Sequence, residues 1–351
     1  MSTTRAGLAA DYRRLVRRRA AFLLGAGATT AVLLVTDLVT GPSPLAPAAA
    51  VAALFEGPAG TDRLATTIIW SIRLPMTLMA ALVGMALGIA GLQMQTILDN
   101  PLASPFTLGF SAAAGFGAAA AIMFGAAVPL PAWLLAPLCA FASTLVACLL
   151  VYAVARLRGA NAEILVLGGI AVLFMFQAFQ SLLQYLAAPE VLQQIVFWMF
   201  GSLMKATWTS VAVLAAVLAA MLPMLAGDAW RLTALRLGDA QARSLGIDVD
   251  GLRRRVFVVV ALVTAAAVAF VGTIGFVGLV APHAARALVG EDQRILLPAS
   301  ALMGAVILSA ASVVSKLVSP GAIVPVGIVT AVVGVPILFA LVLRRGAGGW
   351  G

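Results

Sequence analysis

The stretch G-F-V-G-L-V-A-P-H-A-A-R, Gly275 to Arg286, holds the only histidine of a 351-residue chain, one turn before an arginine and inside a long apolar region. Gly272, Gly275 and Gly278 precede Pro282, and this density of helix breakers predicts a sharp backbone bend rather than one continuous helix. What surrounds the bend decides how it is read. The chain is 63% hydrophobic and 10% charged, with a mean hydropathy of +1.09, whereas a soluble domain averages about 25% charged residues. That composition belongs to an integral membrane protein.

A spanning helix needs roughly 20 mostly apolar residues, and such segments recur down almost the whole chain. The pattern predicts an all-α, polytopic protein of about ten spans: Ala20–Val39, Ile69–Leu98, Phe106–Phe124, Pro131–Val154, Ile164–Leu186, Thr207–Leu225, Val256–Gly272, Ile274–Leu288, Ile295–Val318 and Val324–Leu343. The apolar runs are continuous, not alternating in units of ~10 residues, which excludes a β-barrel. The eighth segment is short for a span. Leu192–Phe200 is amphipathic and is expected to lie at the membrane interface. Residues 1–19 form a basic cytoplasmic arm, 20–345 a single transmembrane domain with a loop at about 228–255, and 346–351 a tail.

Charge placement tests this arrangement independently, because cytoplasmic loops carry the excess of Lys and Arg. With the N-terminus inside, 18 of the 22 basic residues fall on the inner side, among them Arg13, Arg14, Arg17, Arg18, Arg19, Arg236, Arg253, Arg286 and Arg294. Only Arg63, Arg73, Lys205 and Lys316 fall outside. Both termini are therefore expected in the cytoplasm. The net charge of +9 reads as an orientation signal; no basic soluble domain for nucleic acid is visible. Arg13–Arg19 also fits the basic start of a signal peptide, but the apolar stretch after it lacks a clean small-x-small cleavage site. Cys139 and Cys148 share one predicted helix too far apart to bridge, and two cysteines with one histidine give no zinc spacing.

Three constellations say more than hydropathy. The first joins Arg73-Leu74-Pro75-Met76, the small-xxx-small pair Gly84 and Gly88, and the tight re-entry Asn100-Pro101 with Ser104-Pro105. The second is the cytoplasmic loop Arg236–Asp248. Asp239 can cap a short helix there and Gly246 can end it in the left-handed conformation. Leu237, Ala242 and Leu245 would form a small apolar face on a helix too short to be stable alone, so a partner must pack on it. The third is the opening stretch, where Arg286 can meet helix-terminal carbonyls or the acidic pair Glu291-Asp292.

These constellations, in this order, resemble the permease subunits of type II ABC importers, the family that moves iron-siderophore complexes, haem and cobalamin. The matching residues are Arg73-Leu74-Pro75, Asn100–Pro105 with Leu108-Gly109, Leu237–Gly246, Gly272–Arg286 and the ending Pro325–Pro336. The likeness covers roughly residues 65 to 345; Met76 departs from it, where the family often has a second arginine.

The resemblance implies a homodimer of ten-helix subunits in the bacterial cytoplasmic (inner) membrane, two ATPase subunits below it, an extracytoplasmic binding protein above it, and a substrate path at the dimer axis. It implies that Leu237, Gly238, Ala242, Leu245 and Gly246 form the helix that couples to the ATPase, and that Arg73 and Lys316 meet acidic groups of the binding protein, although a charge snorkelling at an interface reads the same way. The chain carries no G-x-x-x-x-G-K-[ST] loop, so catalysis, ATP and Mg are expected on the partner, with no cofactor or metal on this chain. Gln177, Gln180 and Gln184 recur at i, i+3 and i+7 as one helical stripe; the family places this helix along the path, while hydrogen bonding within the subunit is the alternative. Asn100, Pro101, Gly275, Pro282, His283 and Arg286 are expected to serve a bend near the inner gate, with His283 structural or conformational and not a haem ligand. Iron(III)-siderophore is the expected cargo, then haem, then cobalamin.

Two other classes share this composition. A secondary transporter needs an ionisable coupling group near the midplane; Asp99, Glu163 and Glu190 fall at span ends and Asp37 close to one. A serine hydrolase built from Ser111 and His283 would need the two at hydrogen-bond distance and an oxyanion site, which the span order does not supply.

Overall fold

A computed structural model describes residues 5–43, 45–318 and 322–345; the first four residues and the 346–351 tail lie outside it. Among the described residues the regular structure is helical throughout. Eight helical stretches are long and apolar enough to cross a membrane. The first is the inner part of α1 (Arg5–Val39), which extends back through the basic arm as one helix. The second, Arg63–Ile97, begins as α3 (Arg63–Thr66), passes through a π-helical turn at Thr67–Arg73 and continues as α4 (Leu74–Ile97).

The remaining long spans are α5 (Phe110–Phe124), α6 (Ala132–Arg158), α7 (Ala162–Leu186), α9 (Trp208–Gly227), α12 (Val249–Val271) and α14 (Gln293–Leu317). Two of the ten expected spans fall short of that test: α13 (Val277–Val289) has 13 residues, and the described apolar part of α15 (Val326–Arg345) ends at Phe339. At ~1.5 Å rise per residue α13 covers about 20 Å, less than the roughly 30 Å hydrocarbon layer.

The short helices are α2 (Pro47–Glu56), α8 (Pro189–Met199), α10 (Ala229–Leu235) and α11 (Asp239–Ser244). The amphipathic stretch expected at Leu192–Phe200 is α8, while α2 has no counterpart among the expected elements.

The centre of the molecule is α4. Its side chains from Pro75 to Ile97 are buried with few exceptions, and α14, α12, α13 and α9 pack around it. Gly84 and Gly88, expected to admit a close neighbour, admit α14: a Cβ at Gly84 would run into the backbone of Gly304, and one at Gly88 into Ser300. Without a hydrophobic force between helices in lipid, such backbone approach is what gains dispersion contact. By contrast α1, α7 and α9 are largely exposed along their lengths, as suits helices facing lipid or another subunit.

The expected bend is present but at a different level from the one inferred. The helix α12 runs 23 residues, about 34 Å, before the chain turns at Gly272 (φ +77°) and Phe276 (φ +67°). The turn therefore packs on the residues that end α8: Ser202 N–H donates to Val271 O (2.7 Å), and Thr273 Oγ1 donates to Met199 O. Arg286, ten residues beyond, lies at the opposite end beside Glu291. The bend is thus at the end opposite the arginine-rich rim; of the residues expected to serve an inner gate, Arg286 and the Asn100-Pro101 turn reach that rim.

Candidate functional site

One rim of the molecule is a closed set of charged contacts. The short helix α11 begins at Gly238 (φ +103°) without a side-chain cap, so Asp239 is not the cap expected from the sequence. Its carboxylate instead accepts both guanidinium nitrogens of Arg253 on α12, at 2.6 and 2.8 Å. Arg253 is 3% exposed and also donates through Nε to Ile97 O at the end of α4 (2.8 Å). One buried arginine therefore ties the α11 segment to the central helix. Bidentate charge-assisted pairs of this kind are the strong ones.

A second arginine closes the ring. Arg236, just after α10, meets Asp99 Oδ1 at 2.7 Å and Glu291 at 3.4 Å; Glu291 also meets Arg286 at 3.2 Å. Arg286 donates in turn to Gln95 Oε1 on α4 (3.0 Å). Asp99 reaches Arg236 from a left-handed backbone position (φ +45°), which an aspartate tolerates better than most side chains. Asn100 Oδ1 accepts from Leu102 N–H (2.9 Å), so Asn100-Pro101 forms the tight turn expected and holds Asp99 in place.

Within the α11 segment, Gly246 does take the left-handed conformation (φ +80°). Leu237 and Leu245 are 64% and 53% exposed, but Ala242 is fully buried against the body. The apolar face open to a partner is accordingly Leu237 and Leu245 without Ala242. The turn from α9 into α10 and the rim helix α12 are joined by Asp228, which pairs with Arg231 (2.7 Å) and Arg255 (3.3 Å).

Arg73 and Lys316 sit at the opposite end, as their span positions require, yet neither is displayed there. Arg73 is 4% exposed; it donates to Leu38 O, Val39 O, Ser43 O and Ser43 Oγ at 2.8–3.1 Å, closing off the last carbonyls of α1. Lys316 is 6% exposed and pairs with Asp37 Oδ2 at 2.8 Å. The docking role expected for these two is corrected on that geometry: both cations are spent inside the subunit. The π-turn that ends at Arg73 shifts the rotation of the chain ahead of α4, and no sequence pattern announced it.

The glutamine stripe divides. Gln177 is exposed, whereas Gln180 is buried and Gln184 half-buried, and both donate from Nε2 to Met199 Sδ, at 2.8 and 3.1 Å. Thioether sulfur is a weak acceptor, so these bonds locate α8 against α7 more than they bind it. Phe116, Phe176 and Phe179 form an aromatic cluster beside them, with ring centres 5.7–6.3 Å apart. Met199 is the junction sequence reasoning missed, since it also accepts from Thr273 at the bend. His283 is half-buried on α13, below Pro282. Ser111 Oγ is buried without a hydrogen-bond partner, so no Ser–His pair forms. Among the described residues no group of His, Cys, Asp and Glu could hold a metal ion, and Cys139 and Cys148 are free thiols.

A bundle of apolar spans around one buried helix, with a short hook braced at an arginine-rich rim, makes this a polytopic α-helical protein of membrane-spanning build. The chain belongs to the FecCD transport family, which it matches over residues 29–344, and it is a permease of the ABC importer type. It is 39% identical over 285 residues to an ABC transporter permease protein of Methanocaldococcus jannaschii, covering 79% of this chain and 82% of that one. It is 37% identical over 289 residues to the cobalamin import system permease protein of Halobacterium salinarum, covering 82% and 76%. The fold is similar to a solved inward-facing metal-chelate type ABC transporter, with a TM-score of 0.80 at 29% identity over 92% of this chain and 98% of that one.

Proposed function

We propose that the chain is the membrane-spanning subunit of an ATP-driven importer, assembled as a homodimer with two ATPase subunits beneath the arginine rim and an extracytoplasmic binding protein at the other end. The observation that carries this reading is the brace at α11: an exposed Leu237–Leu245 surface held by Arg253 and Arg236 to the ends of α4 and α13. A hook so anchored transmits a push from a partner into the bundle, where a loose loop would absorb it. The rim holding most of the basic residues is then cytoplasmic, with both termini on that side.

The cargo of this reading is a bulky metal chelate delivered by the binding protein. Cobalamin stands first, on the strength of the named relative from Halobacterium salinarum; a ferric siderophore, the sequence expectation, and haem follow. The exposed Gln177 is the amide of the glutamine stripe left for the path once Gln180 and Gln184 are engaged by Met199.

The test is uptake into proteoliposomes containing the permease with its ATPase, presented with binding protein loaded with cobalamin, a ferric siderophore or haem in turn. ATP-dependent uptake of one cargo is expected. ATPase association without uptake of any would move the cargo outside these three; no association would overturn the importer assignment to this rim.

A further inference from the structure

The first amides of a helix find no acceptor within it. At the start of α14, Asp292 takes the N–H of Arg294, and Thr233 Oγ1 on the neighbouring α10 takes that of Gln293 at 3.0 Å. The Gln293 side chain is fully buried. Its Nε2 donates to Thr96 Oγ1 near the end of α4 at 2.7 Å, and its Oε1 accepts from Gln93 Nε2 at 3.4 Å. One residue thus heads α14 while holding α10 through its backbone and α4 through its side chain.

The direction of these bonds is fixed at both ends. Thr233 Oγ1 donates to Ala229 O and Thr96 Oγ1 to Leu92 O, each at 2.9 Å. A hydroxyl has one proton, so both threonines can only accept from Gln293. The contact with Gln93 is looser: it is long, and Gln93 Oε1 is buried without a hydrogen-bond partner.

Beyond Thr233 the chain stays hydrogen-bonded into the hook. Arg236 N–H donates to Thr233 O (3.3 Å) and Leu237 N–H to Ala234 O (3.0 Å), which ties the exposed Leu237 to the end of α10. A displacement of Leu237 therefore moves Thr233, and through it the residue that grips α4. The ionic brace reaches α4 by another way, through Arg253 and through Asp99 and Arg236, whose side chains are 69% and 25% exposed. Salt screens exposed charges; the Gln293 joint is neutral and buried.

We propose that Gln293 is a positioning residue, an uncharged linkage that carries displacement of the hook from α10 into the end of α4. Its use in transport rests on the importer reading; the linkage itself belongs to the chain alone.

The test is hydrogen–deuterium exchange of the purified permease, read by mass spectrometry, in the parent protein, Thr233→Val and Thr96→Val. Each substitution removes one hydroxyl acceptor and keeps the branched shape. Coupling between two sites is reciprocal, so Thr233→Val should raise exchange severalfold in residues 93–97 of α4, and Thr96→Val should raise it severalfold in α10. Thr233→Ser and Thr96→Ser keep the hydroxyl and should exchange as the parent does. Exchange that changes only on the substituted helix overturns the linkage, as does an equal rise over every span or in the serine variants. With the ATPase in proteoliposomes, both valine variants should move severalfold less cargo per ATP, at low and high salt alike, and the serine variants should match the parent. Parent-like cargo per ATP in the valine variants would overturn the role in transport. Absence of ATPase association in the parent would sink the importer reading and leave the exchange result standing, so the two fail separately.

Discussion

Lys316 Nζ lies 2.8 Å from Asp37 Oδ2, and the two side chains are 2% and 0% exposed. Thr77 Oγ1 donates to the same carboxylate oxygen at 2.5 Å, and Lys316 also donates to the Asp37 carbonyl at 2.8 Å. The pair locks the end of α1 to α14 and α4, with Arg73 capping α1 alongside. Removing one partner of a buried pair leaves an uncompensated charge, which costs about 3–5 kcal/mol, whereas replacing both is often close to neutral. Lys316→Met should therefore lower the thermal unfolding midpoint of the detergent-solubilised chain sharply, and Asp37→Asn combined with Lys316→Met should recover most of the loss. A double variant as unstable as the single one would mean the pair's worth lies in its hydrogen bonds and not in charge compensation.

Arg253 offers a test of the brace. Arg253→Gln gives up the bidentate pair with Asp239, and hydrogen bonds to charged groups are worth about 1.5–3 kcal/mol each. The expected outcome is a complex that still assembles and hydrolyses ATP but moves severalfold less cargo per ATP. Arg236→Asp with Asp99→Arg, which restores opposite charges across the 2.7 Å contact, should recover coupling that Arg236→Asp alone loses. Equal transport-to-hydrolysis ratios in all four proteins would show that the ring only stabilises the rim.

Gly246 sits at φ +80°, and its N–H donates to Arg243 O at 2.9 Å. Proline fixes φ near −65° and has no N–H, so Gly246→Pro must rebuild the exit from α11. Because this turn lies at the rim, away from the α4 core, the chain should still insert. ATP hydrolysis should become independent of cargo uptake. Normal cargo-stimulated transport in Gly246→Pro would remove the coupling role from this segment.

Gln180 and Gln177 separate packing from path on α7. Gln180→Leu removes an amide that donates to Met199, and its expected effect is changed uptake with unchanged ATPase association, since α8 loses one of its two α7 contacts to Met199. Gln177→Leu alters only an exposed position. If Gln177→Leu changes uptake and Gln180→Leu does not, the path is lined by Gln177 and the remaining amides are structural.

Long spans were legible in the sequence because each is a continuous apolar run that nothing but a membrane can host, and the Gly84/Gly88 pair announced a close neighbour because only small side chains permit one. Which helix that neighbour is was not legible: Gly304 is 220 residues beyond Gly84. The helix α2 escaped because ten residues are too few for a span, and its role, burying Ala50 and Ala53 against the α1 end and receiving the Trp70 indole N–H at Ala53 O, is settled only by tertiary contact. The burial of Arg73 is not legible because a sequence gives residue type and span level, not the rotation set by the π-turn at Thr67–Arg73. The junction at Met199 was invisible for a related reason: it works through a sulfur and a backbone carbonyl, which leave no spacing pattern. In the α11 segment the turn glycine was legible from its backbone demand, while the burial of Ala242 and the capture of Asp239 by Arg253 depended on where α12 runs.

Acid sensitivity of the rim follows from Asp292, which caps α14 by accepting from Arg294 N–H at 3.1 Å. The Arg294 side-chain hydrogen bond is the main cause that holds its carboxyl below the usual aspartate range, with the charges of Arg294 and Arg19 adding to it against partial desolvation. A carboxyl whose folded-state pKa is depressed stabilises the fold above its unfolded value, about 3.9, and that contribution is lost as pH falls through the folded value. Arg294→Gln removes the main cause, so Asp292 should protonate at higher pH. In denaturant unfolding over a pH series the variant should therefore be less stable than the parent protein near neutrality, and the difference should shrink as pH falls through the folded-state value of Asp292. Equal stability of the two near neutrality would place the stabilising interaction of Asp292 with Arg19 at 3.8 Å or with the α14 N-terminus, and not with Arg294.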